Sequence, residues 1–396
     1  LRSLVGSEMC IRDRYESYLK ITDIFPVNSV GIVTARDNFA IDYDRDALKR
    51  RVRQFINKGL SDEVIRQAFG LGDTSKFKLT DARKKVMGDD EWEHAITKIL
   101  YRPFDDRWVF YHNAVIERTR REVMQHMLFR ENLGLITIRR SRSIEDWRFA
   151  FVADKIIAGA TSITSLDINY LFPLYLYRKG ASHSSHFSKG MMGGFGYGTK
   201  LLFETPAEYA AKEPNLSPSF LERLTRQYRR PPSPEEIFYY IYAILYSNTY
   251  RTKYAEFLKI DFPRIPFTKD YKLFKRVGGY GERLVSLHLL KSAGLDSPIA
   301  RFQGGGDNRV DKPRYEGSSG LIYINQKQYF EGISQEVWNY YIGGYQVCEK
   351  WLKDRKGRTL SLDEIMLYCK IVTAIDQTIK IQGNIDSVFG DIEETV

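Results

Sequence analysis

Hydrophobic positions change their period along this chain, and the changes divide it. From Tyr18 to Asp42 apolar and polar residues alternate around Pro26 and Asn28, which predicts two short strands about a turn. Asp44 then stands as an N-cap before a helix whose Leu48, Val52, Phe55 and Ile56 share one face, with Gly59 placed to end it. Two more short helices are expected between Ser61 and Trp92. From Ile96 to Tyr177 the period falls towards two residues. ITKILY, RWVFYH, LGLITIRR, FAFVADKII and YLFPLYLY read as strands of a largely antiparallel sheet, with one helix near Glu117 to Phe129.

Between Lys179 and Pro214 the composition turns to Gly, Ser, His and Lys, as in a flexible loop or linker. Helical punctuation follows. Ser217-Pro218 and Ser233-Pro234 each place a capping Ser before a Pro at the first helical position, and Glu236 completes a capping box at the second. The helix launched there, EEIFYYIYAILYS, is apolar nearly all round and should be buried. A second box at Ser361 and Glu364 starts a helix whose Ile365, Tyr368, Val372, Ile375 and Ile379 form a packing seam. The predicted class is α+β: a strand-rich mixed α/β part over 15–178, a loop over 179–214 and a mainly helical part over 215–396. The opening LRSLVGSEMCIRDR shows neither period and resembles translated adapter sequence, so residues 1–14, Cys10 included, are expected to be a non-native leader.

Charge adds a partner class. Sixty Lys and Arg against fifty Asp and Glu leave a net charge of +10, which favours a polyanion, because neutralised phosphates release their condensed counterions. Cys10, Cys348 and Cys369 are too few and scattered for a disulfide framework, and none forms a CxxC pair, which fits a reducing cytoplasm. No apolar run approaches the ~20 residues of a membrane span, and no signal peptide is visible. A cytoplasmic protein without a membrane partner is expected.

The catalytic motifs are absent. GGFGYGTK, Gly193 to Lys200, imitates a Walker loop with Lys and Thr in the wrong order, and echoes a methyl-donor-binding element with the spacing off by one. His183 and His186 have metal-compatible spacing but no obvious third ligand. Asp261, Asp270 and Lys272 match a loose nuclease pattern of two carboxylates and a Lys beside a divalent ion. No adenine-binding NPPY-like tetrapeptide, helicase element or GxSxG turn occurs. No catalytic residue, metal ligand or cofactor is therefore expected within this segment.

Arginines form two strings: Arg118, Arg120, Arg121, Arg139, Arg140, Arg142 and Arg148, then Arg226, Arg229, Arg230, Arg251, Lys253 and Arg264. The guanidinium fork suits guanine edges and phosphates, and the interleaved Tyr and Phe suit bases, although aromatic residues more commonly pack cores.

Within these strings the chain resembles a known family. YRPFDDRWVFYH (Tyr101 to His112), ERTRREVMQHM, FVADKII and YLFPLYLY, then NLSPSFLERL, SPEEIFYYIYAILYSNTYRTKYAEFLKIDFPRIPFTKD, GGGDNRVDKPRY, YINQKQYFEGI and IGGYQVCEKWLKDRKGRTLSLDEI, look like the C-terminal target-recognition region of type ISP restriction-modification enzymes. Related single-chain adenine methyltransferases are more distantly similar. The resemblance runs from about Ile21 to Asp386. It implies double-stranded DNA as a partner. It also implies a parent polypeptide whose nuclease, helicase-like ATPase, coupler and adenine methyltransferase precede this region and use S-adenosylmethionine, ATP and magnesium. Lys179 to Thr199 follows no pattern of the family.

The DNA-contact candidates are Arg118, Arg120, Arg121, Arg139, Arg140, Arg142, Arg148, Arg229, Arg230, Arg251 and Lys253, with IRRSRS (Ile138 to Ser143) foremost because three arginines leave a strand together. Arg118, Arg120 and Arg121 at a helix start want a compensating anion, either phosphate or Glu117 or Glu122. Asp105 or Asp106 is expected to pair with Arg102 or Arg107 and fix a turn, and the prolines of PRIP to hold Arg264. Two other readings stay open: a divergent metal-dependent nuclease on Asp261, Asp270 and Lys272, and a structural docking module without base readout.

Overall fold

The structure is a computed structural model that describes residues 2–141, 146–161, 168–178 and 211–396. Arg142, His183, His186 and the Gly193 to Lys200 segment lie outside the described residues.

The strands foreseen between Ile96 and Tyr177 divide into two four-stranded sheets and a separate two-stranded pair rather than one sheet. In the first, Ser29–Val30, Asn169–Pro173, Gly134–Ile138 and Ala150–Ala153 pair antiparallel in that spatial order. All five residues of Gly134–Ile138 are buried, so this strand is covered on both faces. The second sheet runs Ile41–Asp42, Asp105–Phe110, Ile96–Arg102, Ile156–Ile157, parallel only at its last pair. The helix expected over Glu117 to Phe129 shrinks to Arg121–Met124 and a 3-10 turn, Gln125–Met127. Its first half is lost because Arg118 exchanges backbone hydrogen bonds with Val33 and Arg120 adopts left-handed backbone, φ 51°.

Two local expectations are corrected. Ala211–Pro214, read as the end of a flexible loop, is a strand that pairs with Tyr175–Arg178, satisfying backbone groups that a loop would leave to water. Arg2–Ser17 is helical despite its lack of period. Its end is anchored: the Arg264 guanidinium donates to the carbonyls of Glu16 (3.0 Å) and Tyr18 (2.9 Å), and Tyr15 stacks on Phe257.

In the helical part the capping chemistry forms as the sequence requires. Asp44 accepts from Ala47 N, and both Ser233 and Ser361 close reciprocal boxes with Glu236 and Glu364. Pro234–Tyr246 buries nine of its residues, from Ile237 to Tyr246 with Tyr239 excepted. Tyr271–His288 crosses it at Gly281, where a Cβ would stand 1.8 Å from the Tyr239 carbonyl oxygen, so only glycine permits the approach. Leu362–Glu394 packs on both, and His288 joins them: the Tyr242 hydroxyl lies 2.6 Å from Nδ1 and Thr378 2.9 Å from Nε2. A four-stranded antiparallel sheet, Arg301–Gln303, Tyr329–Glu331, Leu321–Tyr323 and Arg314–Glu316, also lies here, which helical punctuation did not announce. One continuous hydrophobic core joins the strand-rich and helical parts. Tyr246 donates to the Ala150 carbonyl (2.8 Å), and the buried Asp105 carboxylate accepts from Arg107 and from Arg355, 250 positions away. No described helix is long and apolar enough to cross a membrane.

Candidate nucleic-acid interface

The first sheet gathers several chain segments at one of its ends. Ile138 pairs with Asn169, Thr137 with Ala150, and Gly31 N donates to the Asn169 carbonyl. Register alone therefore brings four stretches out together: Gly31 onward, Arg139 onward, the approach to Ala150 and the approach to Asn169. The first two carry Arg36, Arg139 and Arg140, and the third carries Arg148.

Arg139 and Arg140 are exposed immediately after the buried strand, so their stems start from a fixed point. Arg139 Nε donates to Asp261 at 3.2 Å, and Ser141 N to the Lys259 carbonyl, which tethers the outgoing chain to the helical part. Burial pushes the Asp261 carboxyl up, but hydrogen bonds from Lys20, Phe262 N and Arg139 outweigh it and hold the group below the usual carboxylate range. Arg148 pairs with Asp146 at 2.9 Å and is 37% exposed.

Beside this ridge lies a cavity of about 820 Å³. Its floor is backbone in close approach. Ile32 N donates to Ile157, Gly159 N to Ile32, and Asn169 N to Gly159, while a Cβ on Gly31 would meet Ala158 at 2.5 Å. Ile32, Phe39, Ile41 and Leu71 supply an apolar wall. Arg36, Arg102, Arg118 and Arg120 supply the charge. Arg36 is committed to the fold, since it donates to Thr34 and Val115 carbonyls and stacks 3.9 Å over Phe77. Arg102 donates to the carbonyls of Tyr101 and Ala160 and lies over the Tyr101 ring. Burial, then the Asp37 carboxylate, push the Tyr101 phenol up to about 12, so it stays a donor to Asp37. Arg118 is exposed, and Arg120 Nε is buried without a hydrogen bond. Neither guanidinium has an acidic partner among the described residues. Neither residue lies within the helix, so the macrodipole reason for a compensating anion falls away for both; Glu117 takes Lys76 and Glu122 accepts from Ser29.

The remaining candidates fall elsewhere. Arg121 starts the short helix and is half-buried. Arg229 is the exposed left-handed cap of Pro218–Tyr228, and Arg230 stacks 3.7 Å over Tyr271. Arg251 is withdrawn as a DNA contact: it is 7% exposed, donates to the Leu245 carbonyl and lies over Tyr246. Lys253, 29% exposed in its side chain, pairs with Glu393 at 2.6 Å. Asp105 pairs with Arg107 rather than Arg102. The nuclease constellation is spoken for as well. Asp270 caps Tyr271–His288 by accepting from Lys272 N and Leu273 N, and Asp261 serves Lys20 and Arg139. Absent from the sequence candidates are Tyr101 and the Gly31 and Gly159 floor, which line the cavity. A TARDN turn with a glycine three residues before it was the available signal.

Comparison with known proteins matches the fold. The family model of the Type ISP C-terminal specificity domain covers residues 23–383. Similar solved structures include a cryoEM DrdV-DNA complex (21% identity, 91% of this chain, 36% of that chain, TM-score 0.66). A nuclease-deletion mutant of the Type ISP restriction-modification enzyme LlaGI in complex with a DNA substrate mimic is 18% identical (93% of this chain, 29% of that chain, TM-score 0.62). The ATP-dependent Type ISP restriction-modification enzyme LlaBIII bound to DNA is also 18% identical (94% and 24%, TM-score 0.67). This chain spans about a quarter to a third of those chains, and at these identities the likeness speaks to fold. No curated protein matches significantly. With residues 23–383 matched, the chain belongs to the Type ISP C-terminal specificity domain family.

Proposed function

We propose that this domain recognises double-stranded DNA in a sequence-specific manner and positions a target adenine for a methyltransferase domain of the same parent polypeptide. The observation that carries the reading is that Arg139, Arg140 and Arg148 leave one end of a single sheet, beside a cavity lined by Arg118 and Arg120, in a domain of this family. Phosphate contacts from such arginines would set the register, and a few side chains in the major groove would read base edges. The DNA named in the structures of DrdV, LlaGI and LlaBIII supports duplex DNA as the ligand. The domain reads and another domain reacts: S-adenosylmethionine, ATP and magnesium belong to the parent's methyltransferase and helicase-like parts, in a bacterial or archaeal cytoplasm.

Duplex binding followed by fluorescence anisotropy tests this. Several phosphate contacts predict that affinity falls steeply and log-linearly between about 50 and about 200 mM salt. Absence of any affinity at the lower salt would leave a structural docking role. Magnesium-dependent cleavage of a plasmid that disappears in Asp270→Ala would restore the nuclease reading, against the capping role of that carboxylate.

A further inference from the structure

The cavity has the wrong curvature for reading a groove. Duplex grooves are concave, so protein parts that reach base edges project into them, as a helix or a two-stranded ribbon does. A hollow of about 820 Å³ fits something that projects from the duplex. Its lining has two chemistries. One wall is apolar, with Ile32, Phe39 and Leu71 backing the half-buried Phe69 ring and Ile168 58% exposed at the rim. The same lining includes Arg118 and Arg120, without acidic partners among the described residues, and Arg120 Nε is buried and unsatisfied. A backbone phosphate alone would explain the arginines and leave the apolar wall idle. A nucleotide turned out of the stack carries both an apolar ring and flanking phosphates. Ala35 and Arg120, both lining the cavity, hold left-handed backbone at φ 57° and 51° without being glycine, a strain that collects at binding clefts.

We propose that the cavity receives one nucleotide everted from the bound duplex, its base on the Ile32, Phe39 and Phe69 side and its phosphates on Arg118 and Arg120. The inference rests on the duplex binding proposed above. Eversion costs the protein the unstacking of that base, and an unpaired nucleotide lowers that cost.

The test uses the full chain and three probes of one sequence: a paired duplex, the same duplex with one unpaired adenosine, and the same duplex with an abasic sugar at that place. The bulged probe should bind at least about tenfold more tightly than the paired one, and the abasic probe should lose that advantage. Ala160→Trp, which fills an exposed position of the lining, and Arg118→Ala, which removes no described hydrogen bond, should each abolish the preference, and Ala160→Trp should do so with paired-duplex affinity retained. Equal affinity for all three probes, or a preference that survives Ala160→Trp, overturns eversion into this cavity and leaves duplex recognition standing. Failure to bind any probe removes both. Displacement of the bulged probe by micromolar adenosine monophosphate alone would reassign the cavity to free nucleotides.

Discussion

Asp105→Ala should destabilise the chain by about 3 kcal/mol, the lower part of the range for breaking a buried ion pair from one side. The carboxylate is 0% exposed and accepts three charge-assisted hydrogen bonds: Arg107 Nε at 2.9 Å, an Arg107 terminal nitrogen at 2.7 Å and Arg355 at 2.7 Å. Arg355 is 3% exposed in its side chain and Arg107 13%, so the substitution strands two guanidiniums that water reaches poorly. Each keeps a second carboxylate, Glu364 at 3.3 Å for Arg355 and Asp354 at 3.8 Å for Arg107, which is why the expected loss is not larger. Urea unfolding followed by tryptophan fluorescence measures it, and a cycle with Arg355→Met should show the double variant losing at least about 1 kcal/mol less than the sum. A loss below about 1 kcal/mol for Asp105→Ala would show that this pair does not hold the strand-rich and helical parts together.

Three further outcomes are expected. Arg139→Ala with Arg140→Ala should weaken duplex binding more than about tenfold at fixed salt, and unchanged binding by the folded variant would remove that ridge from the interface. Gly281→Ala should cost about 2 kcal/mol in urea unfolding because its Cβ meets the Tyr239 carbonyl at 1.8 Å; a stabilised variant would show that the helices separate freely. Burial lowers His288 to about 3 and His126 to about 4. Below the unfolded value near 6.5 the unfolded chain binds more protons, so these groups contribute stability above that pH that is lost as pH falls towards 4 and 3. The urea midpoint should therefore be lower at about pH 5 than at about pH 7.5, and a midpoint that holds or rises would contradict this.

What the sequence made legible was local chemistry. Ser233 with Glu236 and Ser361 with Glu364 needed only residues three apart to predict their boxes, and the apolar circumference of Pro234–Tyr246 predicted its burial. What stayed hidden depends on partners far along the chain. Arg251 looks like any basic residue until Leu245 and Tyr246 enclose it, and Lys253 until Glu393 pairs with it. Asp105 cannot announce a second arginine 250 positions away. The division into two sheets turns on Ile156–Ile157 pairing with Ile96–Arg102 while Ala150–Ala153, just before it, pairs with Gly134–Ile138, and no period in FAFVADKII distinguishes those partners. Arg118 and Arg120 were legible as clustered cations, but the cavity they border is made by Val30 to Ile41, Phe69 to Leu71 and Ala158 to Ala160, which only the fold assembles.

Selection from a pool of random duplexes by the full chain, at about 150 mM salt where nonspecific phosphate contacts weaken, measures whether this domain reads sequence. One defined sequence should be enriched, and the enrichment lost when Arg139→Ala and Arg140→Ala are combined. Retention of duplexes with no sequence enriched would contradict it.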